Sequence, residues 1–394
     1  MMPMLEGKLI ICDSNIPWHH NRYSKHHLMS RLARTNDVVF MDPEEEWGAY
    51  LRRPRGQRGS LARRTWQPEG EDLTVFTPLW LPGRARADFV RRWDEPYLVR
   101  QVRRVVRRHA GQDLILFLGN AWHVFLLDAF PEAACTIYHC SDNFPAMFEG
   151  DFRRRFEERE EEMVRRADLV VCPNPLLVEK CRSIGGNACC LEHAVDERVL
   201  RPMGIAPPAI PDELAGLPRP LIGLVAWIDH IIDYDLLREV ARRLPYASLV
   251  LVGPVSESCR PDLDQLLECG NVKWLGPRPW TQIPEYLWSL DVGIIPFRVN
   301  AVTSGGSPLK LFEYLAAGLP VVSTCAPLAE RLAPYVAVAA DADGFADAVA
   351  EAAREGRGRM APRVALIRDE YTWDRRVEEL SEAIQRHLDR PRGR

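Results

Sequence analysis

The feature that most constrains this chain is an alternation: short apolar runs rich in Val, Ile and Leu recur with longer amphipathic stretches between them. Strands buried on both faces read as continuous apolar runs, and successive parallel strands need a long crossover, ordinarily a helix. The pattern is that of βα units and parallel sheets. In the first half, strands are expected at 8–12, 37–41, 73–77, 114–118, 135–139, 169–172 and 188–191, with helices at 26–34, 89–108 and 152–166. Segment 201–220 has six prolines in twenty residues, which argues against a helix or interior strand and marks a linker. A second series follows, with strands expected at 221–225, 247–252, 272–275, 292–296 and 321–323. The expectation is two doubly wound α/β lobes, 1–200 and 221–370, followed by a C-terminal helix and tail over 371–394. Val377, Leu380 and Ile384 give that helix an apolar face that must dock. Ligands of such lobes bind at the carboxyl ends of the strands, so the site is expected in a cleft between lobes.

Composition narrows the class. A chain of 394 residues, 46 % hydrophobic and 27 % charged, is an ordinary globular protein with room for two cores. No run of 18 uncharged apolar residues occurs, and Glu6 and Lys8 interrupt what would be the apolar part of a signal peptide. The ten cysteines include no CxxC pair and read as free thiols of a reducing cytoplasm. Net charge is −4, yet residues 50–110 hold fifteen arginines against six acids. Two readings fit: a solvated arginine-rich helix face, or a basic surface for anionic lipid headgroups or an anionic acceptor. RNA-binding patterns are missing, so no nucleic-acid partner is expected. The run FRRRFEEREEEMVRR (152–166) spaces acids and arginines three and four apart, as on a solvated helix.

The most informative stretch is NAVTSGGSPLKLFEYLAAGLPVVST, residues 300–324. Ser307 suits an N-cap, Pro308 the first helical position and Gly318 a left-handed C-terminus, so the spacing predicts a helix over 309–317. The loop before it, Thr303, Ser304, Gly305, Gly306 and Ser307, brings backbone N–H groups to the positive end of a helix, a cradle for phosphate. Lys310 lies in the first turn, and Glu313 follows on the same face, roughly 9 Å below the helix start. A diphosphate at the cap would leave ribose hydroxyls within reach of that carboxylate. An exposed Lys310–Glu313 pair on a capped helix fits the same residues.

This stretch resembles the nucleotide-sugar motif of GT-B glycosyltransferases, family 4-like. The resemblance is nearest to the teichuronic-acid-type transferases and more distant to the xanthan glucuronosyltransferase. IPWHHNRYSKHHLMSRLA, IYHCSDNFPAMF, EHAVD (192–196), LIGLVAWIDHIIDYDLL and NVKWLGPRPWTQIPEYLWSLDVGIIPF carry weaker likeness in the same order. It implies two Rossmann-like lobes facing across a cleft, an acceptor-binding first lobe and a second lobe that binds a nucleoside diphosphate sugar, with UDP the expected nucleotide. The acceptor implied is a saccharide or lipid-linked saccharide in polysaccharide biosynthesis, with no cofactor and no metal. On this resemblance Glu313 binds ribose, Lys310 the diphosphate and 303–307 the phosphates. Retaining relatives often carry a second Glu where this chain has Gly305, and an Arg in the loop that here reads Trp227, Ile228, Asp229, His230. The stereochemical outcome therefore stays open, and His230 is a candidate phosphate contact or simply a helix-entry residue.

In the first lobe, Asp142 follows a strand end and is the candidate general base; capping of the next turn is the other reading. His123, past another strand end, is a candidate for orienting substrate, or a packing residue beside Trp122. Trp18, His19, His20, Glu192 and His193 are further substrate-binding candidates at strand ends. The DxD spacings Asp233/Asp235, Asp262/Asp264 and Asp341/Asp343 are not expected to hold metal. A UDP-sugar 2-epimerase and a non-catalytic nucleotide-binding protein are the alternatives. A Rossmann dehydrogenase is disfavoured, because no strand is followed by GxGxxG. The expected location is cytoplasmic, with peripheral contact on the inner membrane face through the arginine-rich region.

Overall fold

The computed structural model describes residues 5–19, 22–52, 62–66, 72–80, 88–203, 210–300, 303, 308–324, 332–333, 335–339, 341–356 and 358–390. It divides into two units, Met1–Glu192 with Trp373–Arg394, and His193–Thr372.

The first unit is built on strands β1 (Leu9–Asp13), β2 (Asp37–Met41), β3 (Glu45–Glu46), β4 (Ala62–Trp66), β5 (Asp72–Phe76), β6 (Leu79–Trp80), β7 (Leu114–Leu118), β8 (Cys135–His139), β9 (Leu169–Cys172) and β10 (Ala188–Cys190). Eight of them form one sheet in the order β10-β9-β8-β7-β1-β2-β5-β4, parallel except where β4 runs against β5. Central strands are fully buried, as their unbroken apolar runs require: β1 and β7 have every residue inside. Helices Ser24–Leu32, Asp88–Val106, Gly150–Arg166 and Pro175–Ser183 flank the sheet. The antiparallel β4, whose sequence ARRTW lacks an apolar run, and the two-residue β3 and β6 are strands that hydrophobic patterning does not reveal.

The second unit contains β11 (Leu221–Val225), β12 (Ser248–Val252), β13 (Val272–Trp274), β14 (Val292–Ile295), β15 (Val321–Ser323) and β16 (Val336–Val338). They pair in the order β13-β12-β11-β14-β15-β16, all parallel. In both units the strand order reverses beside the first strand: between β1 and β7, and between β11 and β14. Open sheets of this kind bind ligands outside the carboxyl ends of the strands at that reversal.

Two further segments are placed by these units. The proline-rich stretch does not separate the units; its described part lies inside the second. The Arg201 N–H donates to the Ala316 carbonyl, and Asp212–Ala215 forms a short helix that buries Leu214. Prolines stop long elements but leave a single turn and side-chain packing intact. The terminal helix Trp373–Leu388 belongs to the first unit. Trp373 stacks on His27 at 5.0 Å, Asp374 pairs with Arg31 and Arg34, and Val377, Leu380 and Ile384 are buried.

The helix Gly150–Arg166 carries the expected exposed pairs, Arg153–Glu157, Arg165–Glu161 and Arg166–Glu162. Glu160 is the exception, turned inward and 2 % exposed. Much of the arginine-rich segment lies outside the described residues. Within Asp88–Val106, Leu98, Val102 and Val105 are buried while Arg100, Arg103 and Arg104 face solvent.

Candidate functional site

In the second unit the reversal between β11 and β14 gathers the residues of the 300–324 motif. The helix Leu309–Ala316 starts at Pro308, which takes the cap position (ψ 118) one residue later than Ser307 was expected to. Among the described residues no side chain caps it, which leaves first-turn N–H groups for another acceptor. Gly318 has φ +78, as a helix end that reverses direction demands. Tyr314 fixes the helix against the sheet: its hydroxyl accepts from the Val225 N–H at 2.9 Å, at the end of β11. Its ring lies over Gly293 of β14, where any β-carbon would overlap it. That close approach holds Lys310 and Glu313 near the strand ends.

Glu313 is half-buried, and its carboxylate has no hydrogen bond or ion pair with a described residue. Burial pushes its pKa up; Lys310 opposes the shift and the Asp196 carboxylate adds to it. Asp196 was not singled out as a site residue. It ends the EHAVD segment and is held in a fork by Arg198, Nε and Nη2 each at 2.9 Å. The Arg198 guanidinium rests 4.5 Å above the Trp280 ring. Thr303 is buried and braces the loop after β14: its N–H donates to Asn300 Oδ1 at 3.1 Å and its hydroxyl to the Arg298 carbonyl. Ser304, Gly305, Gly306 and Ser307 lie outside the described residues.

His230 is exposed in the loop after β11, beside the equally exposed Trp227. That loop has no arginine, but Arg298 approaches it from the end of β14, donating Nε–H to the Ile232 carbonyl at 3.2 Å. Sequence order hid this residue, because strand adjacency rather than chain proximity brings it there. Among the DxD pairs, Asp233 and Asp341 cap helices, accepting from the N–H groups of Leu236 and Gly344, and Asp264 pairs with Arg260.

The first unit has its own cluster at the reversal between β1 and β7. Asp13, the last residue of β1, is 1 % exposed. It accepts from the Gly119 N–H, just past β7, and lies 2.7 Å from His123 Nδ1. Glu44 lies 3.4 Å from His123 Nε2. Burial opposes a charged imidazole, yet the hydrogen bonds and charges of Asp13 and Glu44 outweigh it and push the pKa to about 9. His123 is thus an imidazolium at neutral pH, bracketed by two carboxylates. Both ring nitrogens then carry protons that face the two carboxylates, so it has no lone pair to act as a base.

Lys25 sits in the space that Gly119 leaves open, its Nζ donating to Asn15 Oδ1 at 3.2 Å and to the Asp13 carbonyl at 3.4 Å. Asp142 lies within reach of that charge. Burial pushes its pKa to about 6, with a hydrogen bond from Ser141 and the Lys25 charge pulling the other way. Capping does not occupy it, since the short helix Phe144–Met147 starts at Asn143 without a side-chain cap. Next to His123, Trp122 lines a groove of about 710 Å³ with Phe125, Phe152, Arg155 and Arg159. Asp13, Lys25 and Glu44 were not legible as site residues; the one available signal was that Asp13 ends an apolar strand.

Other candidates fare differently. Trp18 is 5 % exposed and packs edge-to-face on Phe40 at 4.7 Å, so it serves the core rather than a sugar. His19 is exposed and His20 lies outside the described residues. Glu192 and His193 fall on opposite sides of the unit boundary, half-buried and buried respectively.

Residues 225–355 match the family described as glycosyl transferases group 1. A curated relative, the putative teichuronic acid biosynthesis glycosyltransferase TuaH of Bacillus subtilis (strain 168), is 31 % identical over 232 residues, 55 % of this chain. The match spans 58 % of that protein. Among solved structures, sucrose-phosphate synthase from Thermosynechococcus elongatus is similar at TM-score 0.71 and 14 % identity, covering 96 % of this chain and 98 % of that one. Anabaena Alr3699/HepE in complex with UDP is similar at TM-score 0.65 and 14 % identity, covering 96 % and 100 %. At such identities the likeness shows the fold, which is GT-B. Residues 225–355 are accordingly a glycosyl transferases group 1 domain, carried within a chain of GT-B fold.

Proposed function

We propose that this chain is a glycosyltransferase that moves a sugar from a UDP-linked donor to a saccharide or lipid-linked saccharide acceptor in polysaccharide biosynthesis. The observation that carries the reading is Glu313: a half-buried carboxylate with no described partner, one helical turn beyond Lys310, at the reversal of a doubly wound sheet. A desolvated acceptor of this kind is costly unless donors arrive, and ribose hydroxyls supply them. Lys310, the uncapped helix start, the 303–307 loop and Arg298 supply positive charge for a diphosphate, with His230 a further contact. The relative named for teichuronic acid biosynthesis and the similar structure holding UDP support donor and pathway class. In this reading the donor phosphates are neutralised by these side chains, without a metal ion or other cofactor.

Transfer needs a base to take the acceptor hydroxyl's proton as the sugar is attacked. Asp142, with a pKa near 6, is ionised at neutral pH yet basic enough for that task. His123 contributes a fixed positive charge. The groove beside Trp122 offers aromatic surface for the acceptor, and the exposed arginines of Asp88–Val106 offer contact with anionic headgroups.

The test is a thermal-shift screen with UDP, GDP, TDP, CMP and NAD on the wild type and Glu313→Ala. A ligand at about 100 times its Kd stabilises by about 2.7 kcal/mol. One nucleoside diphosphate should raise the melting temperature, and Glu313→Ala should lose most of that rise. Stabilisation by NAD alone, or by none, refutes the donor site. Product analysis with the matching nucleotide sugar then separates transfer from 2-epimerisation.

A further inference from the structure

Three cysteines of the first unit meet at the carboxyl end of its sheet, outside the residues used above. Cys140 follows β8, Cys172 ends β9 and Cys181 lies on the helix Pro175–Ser183. All are at most 1 % exposed, and their sulfurs lie within 4.8 Å of one another. Cys172 Sγ and Cys181 Sγ are 3.8 Å apart. Glu160 Oε1 is 4.0 Å from Cys140 Sγ, and its other oxygen takes the Lys180 ammonium at 2.8 Å.

We propose that Cys140, Cys172, Cys181 and Glu160 form a structural site for one zinc ion. A tetrahedron of Zn–S bonds of about 2.3 Å has edges of about 3.8 Å. The Cys172–Cys181 distance matches that edge, and Cys140 Sγ needs to move by no more than about 1 Å to complete the sulfur face; Glu160 Oε1, 4.0 Å from Cys140 Sγ, must turn further inward to take the fourth corner. A disulfide would use two of these sulfurs and leave the convergence of the third, and of a buried carboxylate, without a reason. Sulfur ligands select zinc over the harder magnesium and calcium.

The surroundings suit the ion. Lys180 on the second carboxylate oxygen, with the Tyr138 hydroxyl donating to Oε1 at 3.0 Å, orients Glu160 as an outer shell orients a ligand. Loading releases the thiol protons to solvent and ties β8, β9 and the helix Pro175–Ser183 together. Cys140 is two residues from Asp142, so the ion would also pin the segment that carries the proposed base.

The experiment uses the full chain, reduced and purified without chelator. Elemental analysis should give one zinc per chain, and its X-ray absorption should show three sulfurs and one oxygen in the first shell. After the ion is stripped, Co²⁺ should restore a thiolate-to-cobalt charge-transfer band at one equivalent. That band should vanish in Cys181→Ser and Cys140→Ser and persist in Cys259→Ser, whose sulfur lies in the second unit. The absorption measurement needs no variant, so a serine variant that fails to fold does not blunt the test. A shell of nitrogen and oxygen only, no band with Co²⁺, a band surviving in Cys181→Ser, or an intact mass showing a Cys172–Cys181 disulfide would each overturn the proposal.

Discussion

Replacing His123 by Gln removes the one group in the Asp13–Glu44 bracket that gains a proton near neutrality. The imidazole has an ordinary value of 6.5 and rises to about 9 in the folded chain. The difference of about 2.5 units, at about 1.36 kcal/mol per unit, corresponds to about 3 kcal/mol of stability. Below pH 6.5 both folded and unfolded chains hold the proton, and the stabilisation is complete. Between 6.5 and 9 only the folded chain holds it, so stability falls as pH rises. Above about 9 the contribution is gone. Melting temperatures of wild type and His123→Gln, measured by scanning calorimetry from pH 6 to 10, should therefore converge as pH rises. The first unit's transition should lie about 6–12 °C higher in the wild type at pH 6, with little difference at pH 10. A gap that is constant across this range would refute the claim that His123 is held as an imidazolium by Asp13 and Glu44.

Three further outcomes are expected. Asp142→Asn should cut the transfer rate by about 10²–10⁴ while leaving nucleotide binding intact, and the wild-type rate should climb as pH passes about 6; an unchanged rate in the variant would remove Asp142 as base. Tyr314→Phe leaves the Val225 N–H buried without its acceptor and should destabilise by about 1–3 kcal/mol in denaturant titration. Trp373→Ala deletes the ring stacked on His27 and should cost about 3–5 kcal/mol, seen as a lower melting temperature of the first unit with unchanged nucleotide affinity.

What the sequence determined by itself is the strand-and-helix skeleton. Fully buried parallel strands must be unbroken apolar runs, so β2, β7, β8, β9, β11 and β15 could be bounded directly from residue type. The 309–316 helix was legible too, because Pro308 and Gly318 act through their own backbone restrictions. Lys310 and Glu313 were visible together because helical spacing converts three residues of sequence into one face.

Tertiary structure decided everything that depends on strand order. Asp13 and His123 are 110 residues apart, and only the pairing of β1 with β7 makes them partners. Lys25 enters that cluster because Gly119 lacks a side chain, and Arg298 reaches the loop after β11 because β14 pairs with β11. Glu160 reads as one more exposed acid in a charged run until β8 and the helix Pro175–Ser183 bring Tyr138 and Lys180 to it. Local pattern records the burial of apolar side chains. It does not record which distant side chain fills the same space, and that is what sets charge, pKa and chemistry.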